Sequence, residues 1–360
     1  MKIVIIGAGP IGCYAGYLLA KSGHDVNIYE RKKEVGSPVQ CTGLLTADFD
    51  QFGLDKSSFL VNSFTEIEVN SSNNQMVINN KEYLVCRKKF DNYLAKLALN
   101  AGAKIFFSSN FLGKEKDKII IKGSNGQKII ISADIVIAAD GPLPHVAKAY
   151  GFYHSERKNY YGIQAVVKGN FHPYRYKTFF GKEVCPELFA WIVPESSDRA
   201  RVGLATTKNT RPHFDKFMKE QGFIAEEIQA GTIPLYHPQQ KLRRGNCYLL
   251  GDASGYVKAT TLGGVIPGMK QVHILVDCLN NGKEYDQEVK SLRKKMNLHL
   301  RLRKVMNKFS DQDWDKAIQL LRKKKIQNVF EKHTRENPLP LILKTIVKEP
   351  KLLYFVKYLF

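Results

Sequence analysis

Residues Lys2–Glu30 read KIVIIGAGPIGCYAGYLLAKSGHDVNIYE, and the order of their parts decides the fold. Lys2–Ile6 is a short β-branched run of the kind that forms a buried parallel strand. GAGPIG follows at once and sets Gly7, Gly9 and Gly12 in GxGxxG spacing. CYAGYLLAKSG carries the apolar spacing of a helix and stops at Gly23, and a second strand, DVNIYE, ends at Glu30, about twenty residues past the fingerprint. Gly7 permits the tight turn, Gly9 lets a pyrophosphate approach the N–H groups of the helix N-terminus, and Gly12 lets helix and strand pack closely. Glu30 stands where an acid accepts hydrogen bonds from a ribose. A lone GxGxxG is weak, but strand, turn, helix, strand and acid in order mark a dinucleotide-binding unit. These residues leave NAD and FAD both open.

Three further segments follow. Cys86–Lys104 (CRKKFDNYLAKLALNAGAK) sets an arginine before an amphipathic helix with Phe90, Leu94, Leu97 and Ala98 on one face. Ala133–Gly141 (ADIVIAADG) is a buried strand entering an Asp-Gly turn. Asn246–Gly268 (NCYLLGDASGYVKATTLGGVIPG) is another buried strand with an aspartate at its end, then a glycine-rich loop opening a helix.

In this order, the segments resemble the FAD-dependent hydroxylase and reductase superfamily with a p-hydroxybenzoate-hydroxylase-like fold. The closer likeness is to the geranylgeranyl reductases, including the archaeal digeranylgeranylglycerophospholipid reductases. It rests on PVQCTGLL (Pro38–Leu45), CRKKFD (Cys86–Asp91) and PELFAWIVP (Pro186–Pro194), the last similar to the family's PxxYxWxFP signature. Phe189 stands where that signature has Tyr and Val193 where it has Phe; Pro142-Leu143 follows the Asp-Gly turn where many members have Ser. The resemblance implies FAD held by Gly7, Gly9, Ile11, Gly12, Glu30, Arg31, Cys41, Thr42, Gly43, Arg87, Asp252, Gly263, Gly264 and Val265; no metal is expected, from the cysteine spacing. Asp252 would meet the ribityl chain, and the Gly263–Val265 helix start would face the flavin ring. It further implies reduction of prenyl-chain double bonds, a chemistry that needs an apolar tunnel, an acid and an aromatic face to steady positive charge; Trp191 and Phe189 are the expected faces, and Cys41 the residue expected to tune the flavin or pass the proton.

The expected fold is α/β (α+β): a Rossmann-like FAD-binding domain of residues 1–59, 83–151 and 232–282, an antiparallel β-sheet substrate domain of 60–82 and 152–231, and a basic helical C-terminal region, 283–360. Six scattered cysteines form no CxxC pair, which argues against a disulfide framework or structural zinc and suits a reducing cytoplasm. The apolar start is broken by glycines and lacks a cleavage signature, so it reads as strand and turn rather than signal peptide. The sequence has no uninterrupted apolar stretch of ~20 residues, so nothing in it is expected to span a bilayer.

The formal charge is +21, and residues 283–360 hold 20 basic against 9 acidic side chains. That excess suits an anionic membrane face, an acidic protein or phosphates. No second dinucleotide fingerprint is visible, so the expected electron donor is NAD(P)H binding transiently or a small acidic protein of the ferredoxin type. The end, LPLILKTIVKEPKLLYFVKYLF, is split by Pro350 into two short amphipathic helices, read either as a lid on the protein's own core or as a peripheral membrane contact on the inner face of the cell membrane. Rival readings are a flavin monooxygenase or halogenase, whose WxWxIP segment FAWIVP partly resembles, and a non-catalytic prenyl-lipid escort protein. Nucleic acid binding has only charge in its favour.

Overall fold

After Lys2, all four remaining residues of the strand Lys2–Ile6 are buried, so both faces of its sheet must be covered. The computed structural model describes residues 1–359; Phe360, the end of the apolar tail segment, lies outside the described residues. Lys2–Ile6 lies within a six-stranded sheet ordered Arg243–Arg244, Cys247–Leu249, Ile135–Ala138, Lys2–Ile6, Asp25–Tyr29, Lys104–Phe106. Every pairing is parallel except that of the two-residue edge strand Arg243–Arg244. Helices Pro10–Lys21, Arg87–Asn100 and Val265–Asn281 cover one face and share a core with Ile3, Ile5, Ile28 and Ile137.

The other face is covered by a three-stranded meander, Asn110–Glu115, Lys118–Lys122 and Lys128–Ser132. Its Ile119, Ile121 and Ile131 pack on Val4, Ile6 and Val136. The sequence reading does not separate this meander from its lobe. KIIIKGSNGQKIIIS shows the signal: two isoleucine runs about a tight turn, with Gly126 at φ +82°.

The second sheet has eight strands, ordered Ala225–Pro234, Asn159–Lys168, Arg199–Thr206, Cys185–Pro194, Arg175–Gly181, Leu60–Asn70, Gln75–Val85, Leu44–Thr46. All neighbours run antiparallel but one: Arg175–Gly181 lies parallel to Leu60–Asn70. The sheet is therefore mixed where purely antiparallel pairing is expected. The reason is topological, because those two strands come from separate insertions that no hairpin joins. Helix Thr210–Glu220 buries Phe214, Phe217 and Met218 against the sheet's outer side.

The tail forms helices Lys290–Met306, Asp311–Leu321, Lys324–Lys332 and Pro338–Lys348, then a 3₁₀ segment, Pro350–Tyr358. Ser310 starts the second of these with a reciprocal capping box to Asp313. Pro350 divides the last segment as expected, though its second half is 3₁₀ rather than α. Among the described residues no helix is long and apolar enough to cross a membrane.

Candidate functional site

Both lobes and the tail open onto a cavity of about 700 Å³. At one end is the glycine fingerprint. A Cβ on Gly12 would sit 2.0 Å from the Gly7 carbonyl oxygen, and one on Gly7, at φ +105°, 2.3 Å from that of Ala139. These contacts demand glycine and draw the helix onto the strand. Around Gly9, by contrast, nothing lies within 4 Å of a built Cβ. Gly9 caps the helix Pro10–Lys21 without a side-chain hydrogen bond, so the first turn presents its N–H groups to an open cradle. Glu30 accepts from Ala8 N at 2.8 Å and from Lys32 N at 2.9 Å, which fixes its carboxylate at the cavity wall.

Further along, Arg87 makes a bidentate pair with Asp91 at 3.0 and 3.1 Å. Burial works against its charge, but Asp91 and the adjacent Cys41 sulfur keep it protonated. The loop bearing Cys41, Thr42 and Gly43 is held by Arg201, which donates to the carbonyls of Thr42 and Val85 and pairs with Glu195. Gly43 is at φ +82°, with the Val85 oxygen 2.4 Å from where a Cβ would be. Opposite, the helix Val265–Asn281 is capped by Gly264, again without a side-chain partner. Gly263, Gly264 and Val265 line the cavity beside Asp252, whose carboxyl burial pushes up against the pull of Arg87 and Arg157. Two uncapped helix starts thus meet one cavity, a fitting berth for a pyrophosphate and an electron-accepting ring.

Of the residues singled out from sequence, Gly9, Ile11, Glu30, Cys41, Thr42, Gly43, Arg87, Asp252, Gly263, Gly264, Val265, Phe189 and Trp191 line this cavity. Gly7 and Gly12 pack behind it, and Arg31 is exposed outside its lining. Beyond the cradle the walls turn apolar. Ile67, Val69, Ile78, Phe189, Trp191 and Val193 come from the sheet, and Leu302, Met306, Trp314, Ile318, Leu341 and Ile342 from the tail. Phe180 bridges the two, with ring centroids 5.1 Å from Phe189 and 4.4 Å from Trp314.

Several polar groups here escape the sequence reading. Arg157 donates to the carbonyls of Asp252 and Ala253 at 3.0 and 2.7 Å and so shapes the loop that carries Asp252. Asp140 accepts from Val146 N at 3.0 Å through Oδ2, while its buried Oδ1 has no partner; burial pushes it up to about 6. Three consecutive tail residues reach into the body: Thr334 donates to Asp48, Arg335 forks onto Glu82 and donates to Tyr176, and Glu336 accepts from Lys258 and Thr46. Burial opposes ionisation of Glu336, but Lys258 and then Arg335 hold its carboxyl below the usual range. Burial, with Lys258 nearby, pushes His299 down to about 3, leaving a neutral imidazole bonded to Thr260 at 2.7 Å. Asp140 is the aspartate of the Asp-Gly turn already marked in the sequence, and Lys258 stands alone within an otherwise uncharged loop, GYVKATTLGG; the others carry no such sign.

Residues 1–184 match the family described as FAD binding domain. The digeranylgeranylglycerophospholipid reductase of Methanocaldococcus jannaschii is 26% identical, covering 89% of this chain and 90% of its own. Digeranylgeranylglycerophospholipid reductase 2 of Methanosphaera stadtmanae is 29% identical over 99% of each chain. Among solved structures, a geranylgeranyl bacteriochlorophyll reductase-like protein from Thermoplasma acidophilum superposes with a TM-score of 0.83 at 21% identity, covering 100% of this chain and 99% of its own. The flavin-dependent halogenase CmlS gives 0.68 at 15%, covering 98% and 78%. The fold is thus common to proteins named reductase and halogenase. From the glycine cradle, the paired helix starts and the match over its first half, the chain belongs to the FAD-binding domain family, and FAD is its cofactor.

Proposed function

We propose that this protein is an FAD-dependent reductase that saturates C=C bonds of geranylgeranyl chains in archaeal-type ether lipid precursors. The observation that carries the reading is the continuity of the cavity, which runs from the FAD cradle under an apolar sheet to the tail helices. A prenyl chain is long and uncharged, and only such a corridor buries it next to the cofactor. The names of the relatives above point the same way.

Saturation adds one hydride and one proton across each double bond. Bound FAD, once reduced, supplies the hydride. The chain's own residues do the rest. Apolar walls exclude water. The faces of Trp191 and Phe189 steady positive charge as it develops on the tertiary alkene carbon, the one that takes the hydride, while its neighbour takes the proton. Cys41, on the loop gripped by Arg201 and beside Arg87, is the proton-passing group.

The tail serves substrate entry. Helix Pro338–Lys348 turns Leu341 and Ile342 to the cavity, while Leu339, Leu343 and Val347 stand 55%, 55% and 78% exposed at i, i+4 and i+8. Lys344, Lys348, Lys351 and Lys357 flank that stripe. It is a peripheral contact with an anionic membrane surface, from which a lipid tail slides inward. Electrons come from NAD(P)H or an acidic iron–sulfur protein, the second suited to the basic surface.

The decisive experiment is anaerobic reoxidation of dithionite-reduced enzyme by geranylgeranyl lipids, with product mass. A gain of two hydrogens per bond supports the proposal. Inertness toward every prenyl compound, together with rapid oxygen-dependent turnover, would replace it with the monooxygenase or halogenase reading.

A further inference from the structure

The chain passes between its lobes at two neighbouring crossovers, one entering the sheet at strand Asn159–Lys168 and one leaving it after strand Ala225–Pro234. His154 and Glu156 lie on the first and His237 on the second. Their ligand-type atoms, two imidazole nitrogens and a carboxylate oxygen, all fall within 4.8 Å of one another. The two rings stack with centroids 3.9 Å apart and planes at 27°.

His154 is already oriented as metal-binding histidines are. Its Nε2 faces the Gln239 side-chain oxygen at 3.2 Å, an acceptor that matches the Nε2–H tautomer. Its Nδ1 is therefore left with a lone pair, and that atom is buried with no hydrogen-bond partner. A carbonyl holding the far N–H of an imidazole is the usual outer support of a ligating ring. His237 Nδ1 receives the Gln239 N–H at 3.3 Å, a long contact that leaves the ring free to turn either nitrogen inward. Glu156 is exposed and can swing in to complete the set and offset the ion's charge. Arg157, the neighbouring cation, is occupied by the carbonyls of Asp252 and Ala253.

We propose that His154, His237 and Glu156 bind a divalent transition-metal ion of the Zn²⁺ class, with water in the fourth position. Two imidazoles and a carboxylate suit such an ion and not Ca²⁺ or Mg²⁺, which take oxygen ligands. The expectation of no metal rested on cysteine spacing, and these ligands use none. The bound ion would clamp the two crossovers together. Gln240 extends the clamp inward, because its Oε1 accepts from both His154 N and Arg157, the residue that shapes the Asp252 loop. This site is separate from the lipid reading and stands or falls without it.

The test is calorimetric titration of the FAD-loaded protein with ZnCl₂, alongside melting curves with and without the metal. Wild type should bind one ion and melt higher in its presence. His154→Ala and His237→Ala should each lose that binding and the melting shift while keeping their flavin absorbance. Glu156→Gln, a surface change that leaves the fold alone, should weaken binding at least tenfold, and Gln239→Ala about tenfold through the lost support of His154. No binding to wild type, or equal binding to wild type and both histidine variants, which would assign the zinc to cysteine thiols, overturns the proposal.

Discussion

Lys258 Nζ donates to Glu336 Oε1 across an ion pair whose side chains are only 5% and 3% exposed. Lys258 belongs to the glycine loop that opens the helix Val265–Asn281, and its Nζ lies 3.3 Å from where a Cβ on Gly263 would be. Glu336 belongs to the tail. The pair therefore pins the tail helices to the cofactor's lobe, and Arg335 on Glu82 pins them to the sheet.

Breaking that pair from one side strands a buried charge. Glu336→Gln should cost about 3–5 kcal/mol, read as a lower melting temperature, whereas Lys258→Met with Glu336→Leu should recover most of it. The pH dependence has a definite sign. The Glu336 carboxyl lies below its ordinary value of 4.5 in the folded protein. Its stabilisation is thus complete above that value and lost as pH falls through the lower, folded one. Acid titration of the melting temperature should be steeper for wild type than for the double variant.

Asp140 should act with the opposite sign. Burial raises it from 3.8 to about 6. Below 3.8 it is neutral folded or unfolded. Between there and about 6 the unfolded chain ionises first, so stability falls as pH rises, by about 3 kcal/mol in all. Asp140→Asn keeps an acceptor for Val146 N and should abolish this slope, as denaturant melts across pH 4 to 6 would show.

Gly12→Ala forces a Cβ to within 2.0 Å of the Gly7 oxygen. The helix start must move away from the strand, and the cradle opens. The purified protein should be folded by circular dichroism yet colourless, with FAD affinity down at least a hundredfold by fluorescence titration. Gly9→Ala, where the space is open, should lose far less.

Trp191→Leu should lower the rate of alkene reduction at least tenfold while flavin content stays at wild-type level, with Trp191→Phe retaining much of the rate. Cys41→Ala should also keep its flavin and slow the reaction. An unchanged rate in single-turnover reoxidation would remove the thiol from the proton path.

Lys348→Ala with Lys351→Ala should weaken flotation on vesicles containing anionic lipid about 30-fold, from about 1 kcal/mol for each lysine near the surface. Leu343→Glu with Val347→Glu should abolish flotation even at low salt. Turnover of a short, detergent-soluble prenyl substrate should be preserved in both.

What the sequence determined alone is whatever depends on short spacing. A β-branched run, three glycines and an acid within thirty residues specify the cofactor's βαβ unit, because side-chain period, turn geometry and helix start are set by neighbours in the chain. Alternation in YYGIQAVVKG (160–169) and LFAWIVPE (188–195) likewise reads as strands of the second sheet, because the side-chain period of a strand is local. Only the tertiary structure decided which distant groups meet. Glu336 meets Lys258 across 78 residues and Arg335 meets Glu82 across 253. The corridor is closed by tail residues that carry no motif, and the parallel joint between Arg175–Gly181 and Leu60–Asn70 has no local signal. Such contacts follow from how whole faces pack and which buried charge must find a partner, and neither is written in the spacing of adjacent residues.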